Sequence, residues 1–536
     1  MSKDNITGSE ALLRSLINEG VDTIFGYPGG SIMPVFDALY DHRTDFRNVL
    51  VRHEQGAVHA AQGYARVSGK VGCAIVTSGP GAMNTISGIA DAMVDSTPMV
   101  VICGQVGAAM LGTDAFQEVD VIGVTQPISK WAFQIRRSED IAWAVSRAFY
   151  IARSGRPGPV VLDFTKNAQT GLVDFEPQKV NFIRSYKPAP VPEDSVIEKA
   201  ARLINNSVKP FVLVGQGVEL GNAQEELREF LEKAQLPAAR TLLGLSALPS
   251  DHPLNMGMLG MHGNLGPNMM TNQCDLLIAI GMRFDDRVTS DISKFAPNAK
   301  HIVHVDIDPA EIGKNVVTDF PLVADSIDFL EALYEQLQQC NHADWVEEVN
   351  ASRYEVQSPV GSVLPPKETF GFIDQCVDDE TIVATDVGQH QMWAALFLNT
   401  KGPRKFITSG GLGTMGFGLP AAIGTQFGNP DKNVILITGD GSFQMNLQEL
   451  AIVKKYKLPL KICLMNNGFL GMVHQWQKFF YNENYSATIL DSAPDWAKLA
   501  DAYDINYMRI DTMEQCNETL AEVLTSKEGW LIDFRI

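Results

Sequence analysis

Short apolar runs alternate with amphipathic stretches along most of the chain. In one example, VGCAIVTSGPGAMNTISGIADAM precedes STPMVVICGQ, so a strand pattern, a helix pattern and a second strand pattern follow one another. This order is typical of βαβ units, in which helices cover a parallel sheet. The pattern predicts an α/β fold built from three doubly wound parallel sheets.

Two proline-rich, weakly periodic stretches divide this pattern. They cover residues 169–192 and 342–366, and they leave predicted domains at 1–168, 193–341 and 367–536. Each is close to the ~150–200 residues of an ordinary domain. The first domain ends on GPVVLDF and the third on GWLIDFRI, which both predict a last buried strand. The outer domains are therefore expected to be related, although two apolar strand ends can also match by coincidence.

The middle domain carries the pattern of a nucleotide-binding fold. KPFVLVGQGVELG predicts a strand that leads into Gly215, Gly217 and Gly221, followed by a helix over residues 223–234. The glycines are spaced GxGxxxG, whereas the dinucleotide fingerprint is GxGxxG. The spacing gives little support to nicotinamide binding and leaves open a nucleotide-shaped cleft without redox chemistry.

Two predicted strands of the third domain end in small polar residues. Residues 434–438 lead into a Gly-Asp-Gly sequence centred on Asp440, and Lys461–Met465 leads into an Asn-Asn pair that ends at Asn467, 27 residues after Asp440. Neighbouring parallel strands place their carboxyl ends side by side, so Asp440 and Asn467 can share one Mg²⁺ ion, which prefers oxygen ligands. Each motif alone is a common turn or strand end. Together they predict a diphosphate site bordered by glycine backbone and by the N–H groups of a helix after Gly441.

Other residues of the third domain extend this predicted site. Gly388, Gln389 and His390 follow a predicted strand at residues 381–384, where their donors can hold phosphate oxygens. Residues 410–424 contain six glycines. A glycine cluster fits either tight helix packing or the wall of a cofactor site, and we prefer the second interpretation.

A single carboxylate of the first domain is a candidate for catalysis. Glu54 follows a predicted strand in VLVRHEQGAVHAAQGYARVSG and begins a helix rich in alanine and glycine. Such a residue is usually a solvated carboxylate that the helix dipole stabilises. Its apolar flanks favour instead a desolvated carboxyl group, which is the setting of many catalytic acids. His53 is expected to be a neighbour that packs or hydrogen-bonds.

Composition narrows the classes of partner. The 536 residues include 43 Lys and Arg against 63 Asp and Glu, a formal net charge of −20 that opposes binding to nucleic acids and anionic membranes. No apolar run approaches the ~20 residues of a membrane span, and MSKDNITGSEALLRSL resembles neither a secretory signal nor a transit peptide. We therefore expect a cytoplasmic protein. The seven cysteines are scattered without CxxC pairs and are expected to be reduced packing residues.

A series of motifs along the chain resembles one enzyme family. In order they are RHEQ, TSGPGA, AFQEVD, SGRPGPVVLDF, GMLGMHG, MRFDDRVT, DVGQHQMWAA, SGGLGTMGFGLPAAIG, GDGSFQMNLQEL and GMVHQWQ. The series is similar to the catalytic subunits of acetohydroxyacid synthase, also called acetolactate synthase, over nearly the whole chain. The GDG and NN pair alone resembles only the wider thiamine diphosphate (ThDP) superfamily, whereas GMLGMHG, RFDDR and GMVHQWQ resemble its anabolic, flavin-containing branch.

The resemblance implies an activity, cofactors and partners. Family members use ThDP and Mg²⁺ to decarboxylate pyruvate and to join the two-carbon unit to a second 2-keto acid, pyruvate or 2-ketobutyrate, in branched-chain amino acid biosynthesis. They also bind FAD, which takes no part in net redox chemistry. The resemblance further implies a homodimer or homotetramer with the active site at a subunit interface, and a small regulatory subunit.

By position, the resemblance implies roles for individual residues. Glu54 matches the glutamate that activates the pyrimidine ring of ThDP, and Met415 matches the apolar residue that bends the cofactor. Arg287 and Trp476 match the pair that selects the second keto acid, through a guanidinium–carboxylate fork and a flat apolar surface. The alternatives are gap filling for Met415, an ion pair between Arg287 and the two aspartates before it, and a Trp476 without a ligand.

The other implied residues form four groups. Gln105 and Gly30 line the reacting face, and Phe116 and Lys166 contact substrate. Mg²⁺ is bound by Asp440, Asn467 and the Phe469 carbonyl. ThDP is bound by Gly388, Gln389, His390, Gly413, Gly441 and Ser442. FAD is bound by Gly215, Gly217, Met261, His262 and Asp306.

The chain departs from the family pattern at three places. The family's LPKD reads FTKN at residues 164–167, and Met83 stands where threonine is usual after SGPGA; both changes are expected to matter little. Family members also extend roughly thirty residues past the last strand, a length that can cover a site, whereas this sequence ends at Ile536. If that tail helps to close the active site in the family, weak cofactor binding or slow turnover is expected here. The alternative functions are a ThDP-dependent pyruvate decarboxylase or oxidase, and a catalytically impaired homologue.

Overall fold

Three six-stranded parallel sheets form the framework of the protein, which the computed structural model describes for residues 5–339, 342–351 and 364–536. The strands of the first sheet, in spatial order, are Arg47–Leu50, Thr23–Tyr27, Gly72–Val76, Met99–Gln105, Pro159–Thr165 and Trp131–Ile135. Those of the middle sheet are Asn255–Met258, Ala238–Arg240, Pro210–Val214, Leu276–Ile280, His301–Asp306 and Phe320–Val323. Those of the third are Phe406–Ile407, Ile382–Thr385, Val434–Gly439, Lys461–Met465, Trp530–Phe534 and Asn506–Ile510. The predicted fold class is confirmed.

The outer sheets share one topology. Numbered within each sheet along the chain, their strands lie in the spatial order 2-1-3-4-6-5, whereas the middle sheet has the order 3-2-1-4-5-6. The latter is the Rossmann order. The common order of the outer sheets supports the expectation that the first and third domains are related.

Amphipathic helices cover the sheets. The helices of eight or more residues in the first two domains are Gly8–Asn18, Glu54–Ser68, Ile86–Val94, Ile141–Arg153, Asp194–Asn206, Gln224–Ala234, Leu265–Gln273 and Ser326–Gln336. Those that follow are Ala343–Ala351, Pro366–Cys376, Gln389–Phe397, Gly418–Gly428, Gly471–Phe480 and Met513–Thr525. The last one starts at a capping box, in which Thr512 and Gln515 satisfy each other's backbone N–H groups.

The structure corrects two predicted elements. The helix expected after Gly441 begins at Asp440 and ends at Phe443, so it is a single turn. The stretch predicted as an irregular connection from residue 169 begins at the end of the helix Lys166–Thr170 and then contains the strand Leu172–Asp174, which pairs antiparallel with Asn5–Thr7. Pairing with a strand distant in sequence therefore produces a strand where the local pattern predicts none. The other predicted connection begins with Ala343–Ala351, and its residues 352–363 lie outside the described residues.

The first and third domains meet through two helices that cross closely. Glu54–Ser68 packs against Gly418–Gly428, and a Cβ atom at Gly63 would lie 2.0 Å from the Ala421 carbonyl oxygen. A Cβ at Gly424 would lie 1.8 Å from the Ala60 carbonyl oxygen. Side chains from both helices belong to one buried apolar cluster. Close helix packing is thus the role of Gly424.

A polar junction ties all three domains together. Arg404 of the third domain donates from its guanidinium to the Arg66 carbonyl oxygen of the first domain, at 3.0 Å. Its backbone N–H donates to Glu219 of the middle domain, at 3.2 Å. Glu219 is buried, and burial raises the pKa of its carboxyl group.

Two further expectations concern membranes and cysteines. Within the described ranges, no helix combines the length and apolar character needed to cross a bilayer. Six described cysteines are free thiols, and all but Cys376 are buried, as expected of packing residues. Cys340 lies outside the described residues.

Replacing Gly424 with alanine should destabilise the protein, because the new methyl group would collide with the backbone of the opposing helix. We expect the free energy of unfolding to fall by about 1–3 kcal/mol. The control is Gly371→Ala in Pro366–Cys376, where a Cβ meets nothing within 4 Å. It should raise stability by about 0.5–1 kcal/mol. Urea unfolding followed by fluorescence measures both, and an equally stable Gly424→Ala protein would contradict the close crossing.

Candidate active site

Asp440 and Asn467 follow adjacent ends of neighbouring strands. Gly439 pairs in register with Met465 across the two parallel strands, so the residues after them begin at the same edge of the third sheet. The Gly468 N–H donates to Asp440 Oδ2 at 2.9 Å, and the Phe469 N–H donates to Asn467 Oδ1 at 2.9 Å. Burial raises the pKa of Asp440 to about 6. A cation beside this carboxylate would offset the cost of burying its charge.

A small cavity opens above this sheet edge. It is lined by most of the residues predicted for the diphosphate and Mg²⁺: Gly388, Gln389, His390, Met415, Asp440, Gly441, Ser442, Asn467 and Phe469. Of the residues that the structure describes, those lining this cavity all belong to the third domain. The structure therefore brings these predicted residues together.

His390 lines the cavity and carries a buried polar atom without a hydrogen-bond partner among the described residues. Its ring is buried, burial lowers its pKa to about 3, and Nε2 has no hydrogen-bond partner among the described residues. Gly388 has a φ of 151°, and a Cβ there would lie 2.8 Å from the imidazole. Only glycine therefore lets the ring reach this position. The Ser442 hydroxyl donates to the Val387 carbonyl oxygen at 2.7 Å and braces the cavity wall.

Buried aspartates that we had not predicted hold the glycine-rich loop around Met415. Asp386 accepts hydrogen bonds from the Gly416 and Gly418 N–H groups at 2.9 and 3.2 Å. Asp95 of the first domain accepts from the Gly410 and Gly411 N–H groups at 2.9 and 2.7 Å. The signal that could have identified Asp95 is its place directly after the mostly apolar helix Ile86–Val94, four residues after Asp91, which accepts from the Ser409 and Thr414 hydroxyls.

The predicted residues of the first domain lie at the carboxyl edge of its own sheet. Gly30 follows Thr23–Tyr27, Glu54 follows Arg47–Leu50, Gln105 ends Met99–Gln105, and Lys166 follows Pro159–Thr165.

Phe116 lies in the loop after Gln105, and its side chain is 87% exposed. Gly30 and Lys166 are also exposed. These residues thus share one sheet edge, separate from the cavity around Asp440.

Glu54 and Gln105 differ in how their side chains are held. Glu54 is the first residue of its helix and is buried, and Oε2 accepts a hydrogen bond from Asn84 Nδ2 at 2.9 Å. Gln105 is also buried, and its amide nitrogen donates to the Val119 carbonyl oxygen at 2.9 Å and to Asp163 at 3.3 Å. Its amide oxygen accepts from the Val106 N–H. The Gln105 side chain is therefore engaged inside the first domain.

A second cavity of about 820 Å³ lies where the three domains meet. Its lining includes these predicted residues: Gly217, Met261, His262, Asp306, Gly413, Arg287 and Trp476. Gly215 lies behind the wall, where a Cβ would be 2.1 Å from the Gly281 carbonyl oxygen. A Cβ at Gly217 would also be only 2.5 Å from Gly281 Cα, so both glycines permit close packing, and Gly217 in addition lines the cavity.

Arg287 and Trp476 come together at this second cavity. The guanidinium carbon of Arg287, from the middle domain, lies 5.9 Å from the centroid of the Trp476 ring, from the third domain. Both side chains are partly exposed, and Arg287 lies 3.8 Å from Asp286. The cation and the flat apolar surface thus face one space, as a site for a small carboxylate with an alkyl group requires.

Val387, Met472 and Val473 line both cavities. The small cavity around Asp440 and the larger one beside Arg287 are therefore adjacent.

If Asp440 binds Mg²⁺ as the sequence predicts, its exchange for asparagine should weaken Mg²⁺-dependent binding of ThDP, because the ion would lose a charged ligand. We expect the affinity to fall by about tenfold or more, measured by titration calorimetry with excess Mg²⁺. Asp431→Asn is the matched control, since Asp431 is exposed and precedes Val434–Gly439 at the opposite end of that strand. Unchanged affinity in Asp440→Asn would rule out this ligand.

Comparison with known proteins identifies the relatives of this chain. Three family models match it, described as thiamine pyrophosphate enzyme N-terminal TPP binding domain at residues 6–124, central domain at 197–333 and C-terminal TPP binding domain at 386–534. The chain is 46% identical to a probable acetolactate synthase large subunit of Methanocaldococcus jannaschii, over 99% of this chain and 92% of that protein. It is 45% identical to the acetolactate synthase isozyme 2 large subunit of Escherichia coli, over 99% of this chain and 96% of that protein. Matches of this extent show that the chain belongs to the acetolactate synthase large-subunit family of thiamine pyrophosphate enzymes.

Proposed function

We propose that the protein is an acetolactate synthase that decarboxylates pyruvate and joins the two-carbon unit to a second 2-keto acid, pyruvate or 2-ketobutyrate. This reaction supplies branched-chain amino acid biosynthesis. The observation that carries the proposal is that the cavity around Asp440 and Asn467 shares its wall with the cavity in which Arg287 faces Trp476. A cofactor site and an acceptor site must adjoin in a carboligase.

The residues of the small cavity fit ThDP and Mg²⁺. Asp440, Asn467 and the Phe469 carbonyl oxygen would hold the ion, and the unpaired Nε2 of His390 supports a polar ligand there. Gly388, Gln389, Gly441 and Ser442 would surround the diphosphate, with Gly413 in the adjoining loop. When bound, ThDP supplies a nucleophilic carbon that adds to a keto acid and takes up the charge left when CO₂ departs. Met415 would support the bent cofactor.

We propose an oligomer, at least a dimer, in which each active site combines two chains. Glu54 lies at the edge of the first sheet and does not line the cavity around Asp440 of its own chain. In the assembly, Glu54 would donate a hydrogen bond to the pyrimidine ring of the cofactor held by a partner. Gly30 and Gln105 would border the reacting carbon, and Phe116 and Lys166 would contact substrate. The exposure of Phe116 supports a covering partner.

We propose that the larger cavity holds FAD as well, beside the space between Arg287 and Trp476. Its volume of about 820 Å³ lies within the ~300–1,000 Å³ of typical ligand pockets. Gly217 offers backbone to the cavity, and Met261, His262 and Asp306 line it, with Gly215 behind the wall. We also propose that the protein works with a small regulatory subunit, because its relatives are named large subunits. We further propose a cytoplasmic location and domains at residues 1–168, 193–341 and 367–536.

The product formed from pyruvate tests the proposed function. With ThDP, Mg²⁺ and FAD present, the protein should form acetolactate. Acetaldehyde would indicate a decarboxylase. Acetate or acetyl phosphate formed with oxygen uptake would indicate an oxidase, and the absence of product would indicate an impaired homologue.

Glu54→Gln should lose most turnover, about 100-fold or more, because the amide cannot exchange a proton with the pyrimidine ring. Glu139→Gln, on the exposed surface of the same domain, should retain full activity.

A competition between pyruvate and 2-ketobutyrate tests the acceptor site. Trp476→Leu should lower the preference for 2-ketobutyrate by about tenfold, because it removes the flat surface against which an ethyl group packs. Arg287→Lys should raise the KM of the second keto acid, because an ammonium cannot form a bidentate fork. Phe479→Leu is the control, since Phe479 is exposed on the same helix and does not line the cavity. An unchanged product ratio in Trp476→Leu would assign the selection to other residues.

A further inference from the structure

Glu449 reaches from the third domain to the backbone that immediately precedes Glu54. It ends the short helical turn Leu447–Glu449, and its side chain is fully buried. Oε1 accepts hydrogen bonds from the N–H groups of Arg52 and His53, both at 3.0 Å, and Oε2 accepts from Arg52 at 3.1 Å. The carboxylate therefore binds the N–H groups of the two residues that immediately precede the helix of Glu54.

The first domain leaves room for this carboxylate. A Cβ atom at Gly56 would lie 2.6 Å from Glu449 Oε1 and 2.8 Å from its carboxyl carbon. His53 adopts an extended conformation, and its ring nitrogen accepts from the Gln55 N–H at 3.2 Å. The start of the helix is thus shaped around the Glu449 side chain.

The same turn also contacts the loop of Met415. Asn446 Nδ2 donates to the Gly416 carbonyl oxygen at 2.7 Å. A Cβ at Gly416 would lie 2.9 Å from that nitrogen. Residues 446–449 therefore connect the backbone beside Met415 to the backbone beside Glu54.

Burying Glu449 is costly for the fold. Burial raises the pKa of its carboxyl group to about 7, and the N–H groups of Arg52 and His53 oppose this shift. A buried carboxylate contributes less to stability than a well-packed apolar side chain of similar size. Its benefit is geometric, since it fixes two N–H groups in one orientation.

We propose that Glu449 is a positioning residue that sets the orientation of Glu54 for its contact with the cofactor. The proposal rests on the catalytic role proposed for Glu54. Glu449 itself lines neither cavity. Its loss should therefore impair the step that needs Glu54 and leave ThDP binding intact.

Hydrogen–deuterium exchange of the protein without cofactor tests the contact directly. In Glu449→Ala, the amides of Arg52 and His53 should exchange about tenfold faster or more, because their acceptor is gone. The matched control is Glu219→Ala, which removes another buried glutamate that accepts a backbone N–H from a different domain. The control should lower thermal stability without changing exchange at Arg52 and His53. Unchanged exchange in a folded Glu449→Ala protein would overturn the proposal.

Kinetics of the full protein with ThDP, Mg²⁺ and FAD test the consequence for Glu54. In Glu449→Ala, kcat should fall about 10- to 100-fold, while the KM for pyruvate and the affinity for ThDP stay within about twofold. Deuterium uptake at the reactive carbon of bound ThDP should fall in parallel. Glu449→Gln keeps one acceptor oxygen and should recover part of both rates. A parallel loss of ThDP affinity and kcat would indicate a merely structural role and overturn the proposal.

Gly56→Ala provides an independent variant should Glu449→Ala fail to fold. It keeps the carboxylate but places a methyl group against it, so it should reproduce the faster amide exchange and the lower kcat. Wild-type exchange and kcat in this variant would contradict the proposal. A wild-type protein that forms no acetolactate would instead overturn the proposed function, and the amide exchange would still report on the Glu449 contact.

Discussion

The close crossing of Glu54–Ser68 and Gly418–Gly428 is the constraint on which the arrangement of the protein depends. One helix begins with the candidate activator Glu54, and the other follows the loop that carries Met415. Glycine at residues 63 and 424 brings the two backbones together without intervening side chains. The first and third domains therefore have little freedom to slide, and their polar contacts can be short and buried.

Buried carboxylates refine this arrangement. Asp95 holds the N–H groups of the glycine-rich loop, Asp386 holds the far side of that loop, and Glu449 holds the start of the Glu54 helix. Each accepts backbone N–H groups, so the positions of main-chain segments are fixed by side chains remote in sequence. Such groups cost desolvation energy, and well-aligned donors offset part of that cost.

The sequence predicted those parts of the structure that depend on local pattern and on neighbouring strands. Asp440 and Asn467 could be paired because each follows a strand that the apolar run identifies, and parallel strands align their ends. The contact of Glu449 could not be predicted, because its partners lie 396 and 397 residues away and the local hydrophobic pattern carries no information about contacts at that separation. The engagement of the Gln105 amide inside its own domain also depends on a distant residue, Asp163, and was not foreseen.

Val387, Met472 and Val473 line both the small cavity around Asp440 and the larger cavity beside Arg287. A bulkier or smaller residue at any of these positions changes the shape of both spaces at once. In the proposed assignment of the two cavities, these three residues would affect both cofactor retention and the choice of acceptor. A substitution there that adjusts one property would be expected to alter the other as well.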